Sequence, residues 1–289
     1  MRFAGVGLVM LAAICWGITG GIADILMSKG WDPLVISFYR GAVGFLGFFV
    51  WFLMRFRQNW INSPQLYFWS ILAGIGVAGN FTFYFLSIQA SSVAVAATLM
   101  YTAPVIVLLI SFIFRIERST WFKWGSIAGV ILGIVLLTGA YNTDSISVSF
   151  IGVAAGIGAG LSYAVFIFGF KNASSKGKPQ PSLFIAFITF CLILFIFSDN
   201  SEAAAVLTSN DLGWFILIGI VGSGLSFILY MIGIRRTTPT TASMVAMVEP
   251  VTASLFGVLI LGDHLSIIQL LGMVIILFTV TLLCVKQSD

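Results

Sequence analysis

The sequence predicts an all-α integral membrane protein, with ten transmembrane helices forming two inverted five-helix repeats around a central cavity. Three observations carry that expectation. The 289 residues are 60% hydrophobic and only 8% charged, whereas a soluble chain carries about 25% charge. The apolar runs are each near the ~20 residues a helix needs to cross a bilayer. Lysine and arginine also segregate to alternate connections. No short alternating strands of the kind a membrane barrel requires are visible.

The expected spans are residues 5–27, 33–54, 66–88, 92–114, 121–140, 150–170, 181–197, 212–234, 240–261 and 266–285. Their connections are short, so consecutive helices are antiparallel neighbours. The first run could pass for a signal peptide, but it is too long and lacks a clean small-residue cleavage site. With the N-terminus in the cytoplasm, the inside set is Arg2, Arg55, Arg57, Arg115, Arg118, Lys123, Lys171, Lys176, Lys178, Arg235, Arg236 and Lys286. That is twelve of the fourteen basic residues. Lys29 falls outside, and Arg40 lies within span two. Asp32, Asp144, Asp199, Glu202 and Asp211 gather on the outer side. Both termini are therefore expected to be cytoplasmic, in a multi-pass protein of the cell membrane.

The two halves repeat. A shift of 146 aligns Tyr84 with Tyr230, Ile88 with Ile234, Ala96 with Ala242, Pro104 with Pro250 and Glu117 with Asp263. A shift of 147 brings Gly5 onto Gly152 and Trp16 onto Tyr163. The expected units are residues 1–145 and 146–289, each of five spans. An odd number of spans turns the second unit upside down, which places a substrate site near the midplane between them.

The stretch Thr240–Asp263 is long enough to span, yet it carries Glu249 followed by Pro250 at its middle. A carboxylate at that depth costs about 2.5–3.5 kcal/mol on insertion scales. Pro250 removes a backbone donor and is expected to leave the Ala246 carbonyl without its helical partner. Such features are tolerated only against neighbouring helices or a water-filled cavity. Trp16-Gly17 in span one, Pro104 midway along span four, and VEPVTASLFGVLILGD from Val248 resemble the EamA-type family of the drug/metabolite transporter superfamily. The resemblance covers the whole chain, with Glu117 and Asp263 matching the family's two acidic span ends. It implies ten helices around a cavity that passes small metabolites, often amino acids. In the first half Ala103 replaces the Glu before Pro104, so the binding chemistry is expected to be asymmetric.

Glu249 is the leading candidate for substrate contact or proton coupling, since burial favours its protonated form. Arg40 could snorkel to the outer interface, pair with Asp24 or Glu249, or receive a substrate carboxylate. Asn80 and Tyr84 are four apart on one helix face, as are their repeat mates Ser226 and Tyr230. The two pairs are expected to face each other across the cavity. Trp16, Tyr101, Tyr163, Met244 and Met247 complete an aromatic box able to hold an ammonium. Pro104 and Pro250 are the expected hinges. Glycine ridges Gly125/Gly129/Gly133, Gly152/Gly156/Gly160 and Gly41/Gly44/Gly47 read as close-packing seams, within one chain or in a homodimer.

Enzymatic chemistry finds little support. His264 is the sole histidine, Cys15, Cys191 and Cys284 sit in apolar runs, and no nucleotide, metal or nucleophile motif appears. No cofactor and no nucleic-acid partner are expected. The expectation is a secondary transporter of an amino acid or related amine, exporting it by alternating access, with protons as the candidate coupling ion. Export of cationic drugs or other metabolites, or a channel-like facilitator, is the alternative.

Overall fold

The computed structural model describes residues 2–54, 56–59, 63–141 and 149–286, with only the backbone described at 2, 3, 284 and 286. Arg55 and Asp144, and the side chains of Arg2, Cys284 and Lys286, lie outside the described residues. Among the described residues ten long apolar helices run in order, α1 Arg2–Ser28, α2 Pro33–Leu53, α3 Pro64–Ala90, α4 Val93–Ile113, α5 Trp121–Thr138, α6 Phe150–Lys176, α7 Pro179–Phe197, α8 Leu212–Ile234, α9 Pro239–Leu261 and α10 Ile267–Lys286, with short helical turns at Phe56–Asn59 and Asn200–Val206 in two connections. No strand occurs among the described residues. This is an all-α membrane protein of ten helices.

Local sequence sets where most helices begin. Asp32 accepts from the Leu34 and Val35 amides ahead of α2, and Ser63, Ser92, Thr120, Ser149 and Thr238 cap α3, α4, α5, α6 and α9 in the same way. Each cap satisfies an amide the helix start leaves orphaned. Pro33, Pro64 and Pro239 follow their caps in the first turn, where the missing N–H costs nothing. Gly139 and Gly262 end α5 and α9 in the left-handed conformation. The sixth helix outruns its expected end at residue 170 and continues to Lys176. There Asn172, Ser174 and Ser175 bond back to the Phe168, Lys171 and Asn172 carbonyls, so polar residues carry the helix past its apolar part.

Two helices break at their middles. In α4 the helix stops at Met100 and resumes at Ala103, and in α9 it stops at Val245 and resumes at Val248. The Ala246 carbonyl is not left unpaired, as Pro250 had suggested. The chain tightens at the break and the Glu249 amide donates to it at 2.9 Å. A wide, π-helical turn, Ile220–Leu225, interrupts α8. Such turns leave carbonyls open to side chains and are frequent at functional sites.

The packing has an internal two-fold pattern. Helix α3 packs on α6 and α7, as α8 packs on α1 and α2; α4 packs on α6 as α9 packs on α1. The pairs α2–α7, α4–α9 and α5–α10 map onto themselves when each helix is exchanged for the one five places on. The register holds at single residues: Gly222 lies against Thr19 as Gly76 lies against Phe166, and Gly5 against Arg236 as Gly152 against Ala90. Those contacts keep the 146 and 147 offsets read from sequence. Of the glycine ridges, Gly129 and Gly133 meet α10, while Gly152, Gly156 and Gly160 meet α3 and α4. Gly125 and Gly47 face open space.

Candidate substrate site

A cavity of about 370 Å³ enters the helix bundle from one face. Its mouth is framed by helix ends, with Asp24 and Met27 of α1, Pro33 of α2, Gln89 of α3, Val93 of α4 and Thr138 of α5. Around that mouth lie Asp32, Glu202 and Asp211, with Lys29 ion-paired to Asp211. We call it the acidic face. The cavity runs inward to Trp16, Arg40, Asn80, Tyr101, Glu249 and Pro250 near the helix middles.

The opposite, basic face is sealed. Glu117 at the end of α4 accepts from the Thr240 amide at the start of α9 (3.0 Å) and from Lys123 (2.7 Å). A carboxylate there also suits the positive end of the α9 dipole. Lys171 of α6 donates to the Ile234, Arg235 and Thr237 carbonyls at 2.9, 3.3 and 2.6 Å. A cation at the C-terminal end of α8 satisfies carbonyls that no helical amide reaches.

The break in α9 brings Glu249 into the cavity. Gly17 lets α1 approach that break closely, since a Cβ there would lie 2.5 Å from the Glu249 carbonyl oxygen. The Trp16-Gly17 step thus has a packing reason. Glu249 is half-buried, and its carboxylate makes no hydrogen bond or ion pair among the described residues. Its carboxylate is left for whatever enters.

Arg40 is 8% exposed and does not snorkel to the interface. Its Nε donates to the Gly222 carbonyl at 3.2 Å, and its guanidinium sits 5.2 Å from the Phe81 ring centroid. The same carbonyl accepts from the Ser226 hydroxyl at 2.7 Å, and that hydroxyl accepts from the Trp16 indole N–H at 2.9 Å. The wide turn of α8 therefore presents one carbonyl to two side chains. Arg40 forms no ion pair with Asp24 or Glu249 among the described residues. Its two Nη groups have no protein acceptor there, leaving a planar donor pair suited to a carboxylate.

The sequence-derived residues divide into two sets. Trp16, Arg40, Asn80, Tyr84, Tyr101, Glu249 and Pro250 line the cavity. Tyr163, Ser226, Tyr230, Met244 and Met247 do not; they are buried beneath it. The Asn80/Tyr84 and Ser226/Tyr230 pairs accordingly do not face each other across one cavity. Each of four absent residues is the repeat mate of one present: Tyr163 of Trp16, Ser226 of Asn80, Tyr230 of Tyr84, Met247 of Tyr101. Pro104 is buried in α4, off the cavity. Among the described residues the Tyr163 and Tyr230 hydroxyls have no hydrogen-bond partner, a burial that costs about 1–3 kcal/mol per group.

Three contributors carry little or no mark in the sequence. Asp24, exposed at the mouth, reads from sequence only as a partner for Arg40; its place near an outer helix end is where a gate acid would be sought. Lys171 counts there only toward orientation. Gly222 carries no signal, because its role depends on a wide turn that apolar sequence does not announce. Among the described residues no cluster of His, Cys, Asp or Glu could hold a metal.

Comparison with known proteins agrees with this architecture. A solved structure with 18% sequence identity superposes with a TM-score of 0.74, covering 98% of this chain and 99% of its own. An uncharacterized transporter of Archaeoglobus fulgidus is 27% identical over 96% of this chain and 94% of its own length. The threonine/homoserine exporter RhtA of Escherichia coli K12 is 28% identical over 92% of this chain and 87% of its own. The EamA-like transporter family matches twice, at residues 3–139 and 150–285. By that match over nearly its full length, the chain belongs to the EamA-like transporter family.

Proposed function

We propose that the protein is a secondary carrier of a zwitterionic amino acid, exporting it across the cytoplasmic membrane by alternating access. The observation that carries this reading is a midplane cavity open to one face and sealed at the other, with Arg40 and Glu249 both on its wall. Arg40 suits the substrate carboxylate and Glu249 the ammonium, while Trp16, Tyr84 and Tyr101 supply ring faces. RhtA, named for threonine and homoserine export, supports the substrate class. An amine or cationic drug would use Glu249 and the rings alone.

The residues beneath the cavity fit the second state. We take residues 1–145 and 146–289 as two inverted units that rock about the breaks near Pro104 and Pro250. Opening the basic face would then expose Tyr163, Ser226, Tyr230 and Met247, the mates of residues that line the cavity now. The unpaired Tyr163 and Tyr230 hydroxyls would find water there. Placing the basic face in the cytoplasm follows the distribution of lysine and arginine and puts both termini inside. Protons through Glu249 are the coupling ion this reading favours. The glycine ridges are used within the chain, and a homodimer would draw on Gly47 and Gly125.

Counterflow in proteoliposomes tests the proposal. Labelled threonine and homoserine are compared with an amine and a nucleoside. Trans-stimulated uptake of the amino acids, lost in Glu249→Gln without loss of folded protein, is expected. Flux without trans-stimulation would indicate a channel-like facilitator, and no flux of any zwitterion would overturn the reading.

A further inference from the structure

We infer that Asp24 and Asp263 form the latch that closes the acidic face, and that Asp24 engages only after taking up a proton. The inference rests on the alternating-access reading above. On the sealed face the latch has two parts: Glu117 on the first amides of α9, and Lys171 on the last carbonyls of α8. The repeat offsets assign each part a mate on the open face.

Glu117 maps onto Asp263, and the local backbone agrees. The Glu117 amide donates to the Ser111 carbonyl at 3.2 Å, and the Asp263 amide to the Gly257 carbonyl at 3.1 Å, which are mates at the same offset of 146. Thr240, whose amide Glu117 holds, maps onto Ala94 in the first turn of α4, beside Val93 at the mouth. An aspartate can cap that start as the glutamate caps its own. This half of the latch keeps its chemistry.

The other half is inverted. Lys171 maps onto Asp24 at the offset of 147 that the Gly5 and Gly152 contacts fix. The carbonyls of Ile234, Arg235 and Thr237 map onto those of Ile88, Gln89 and Ser91 at the end of α3. Asp24, Ile88 and Gln89 all border the mouth, so the cavity now separates them. Lysine supplies three donors to such carbonyls, whereas an ionised carboxylate supplies none and is repelled by the negative end of α3. Once protonated, Asp24 gains one O–H donor and loses that repulsion. The proton comes from solvent at the acidic face and returns there on reopening, so this step gates without driving net proton transport.

The groups around Asp24 are acids, tyrosines and two cations whose bonds run to other partners. Helix α9 offers Asp263 and Glu249, and α3 offers Tyr84 across the mouth. On α2, Asp32 caps its own helix, Tyr39 donates to the Ala203 carbonyl, and Arg40 is held by Gly222. On α8, Asp211 is paired with Lys29, and Tyr230 is buried beneath Trp16. Arg40, with its Nε on Gly222, and Lys29, on Asp211, form no ion pair with Asp24 among the described residues.

The test is labelling of Gln89→Cys by a membrane-impermeant thiol reagent, in a chain whose three native cysteines are replaced. Rates are taken relative to His264→Cys on the exposed loop, which removes the reagent's own pH dependence. The expected result is labelling that falls as pH is lowered, about tenfold between one unit above and one unit below the Asp24 midpoint. Adding Asp24→Asn or Asp24→Lys should hold labelling low at every pH, because both side chains donate. Asp24→Glu should retain the pH dependence. An Asp24→Asn protein that labels as fast as the parent at high pH, or follows its pH profile, overturns the latch. Counterflow on the same proteins separates the failures: a pH-gated mouth without exchange refutes the transport reading, and exchange with a pH-independent mouth refutes the latch.

Discussion

Replacing Gly222 by alanine should cripple substrate binding while leaving the bundle folded. An alanine Cβ would stand 2.7 Å from Arg40 Nε and 2.8 Å from Thr19 Oγ1. Moving Arg40 from 2.7 Å out to an ordinary contact of 3.4 Å is a shift of about 0.7 Å. That stretches the 3.2 Å bond to the Gly222 carbonyl to about 3.9 Å, beyond hydrogen-bonding range. A bond to a charged group is worth about 1.5–3 kcal/mol. If the displaced guanidinium then misses the substrate carboxylate, KM should rise roughly 10- to 100-fold, at about 1.4 kcal/mol per decade. Gly224→Ala is the control, since the same wide turn leaves 3.6 Å to the nearest neighbour there. KM from counterflow and the melting temperature in detergent separate binding from folding. A Gly222→Ala protein with KM within about twofold of the parent, or a Gly224→Ala protein equally impaired, would refute the role given to the Arg40 cradle.

Two further outcomes follow from the faces. Lys171→Met removes three donors from the basic-face seal; with Lys171 half-buried, the loss should be about 1–2 kcal/mol. That should raise labelling of a Met247→Cys reporter from the basic side by roughly 5- to 30-fold, and unchanged labelling would remove Lys171 from the seal. On the acidic face, bonds from Lys29 and then Trp31 hold the Asp211 carboxyl below its ordinary range. A depressed carboxyl pKa stabilises the fold above its unfolded value and loses that contribution as pH falls through the folded one. Melting temperature should therefore drop below about pH 4, and Asp211→Asn should flatten that limb of the profile.

The amino-acid order by itself determined the number of helices, their alternating direction and the repeat register. Those features depend on length, apolarity and near-neighbour hydrogen bonds, which are local. It also pointed to Glu249, because a carboxylate beside a proline in an apolar run is too costly to turn toward lipid. What it left open was which residues share a wall at one moment. Trp16 and Tyr163, or Tyr84 and Tyr230, are equivalent by register, and only the packed bundle shows one of each pair on the cavity wall and its mate beneath it. The Arg40 cradle was equally hidden, since it joins α2 to a carbonyl 182 residues away through a turn with no sequence mark. Helix formation is decided within a few residues, whereas a cavity is what remains after distant helices have met, and only the tertiary structure can place it.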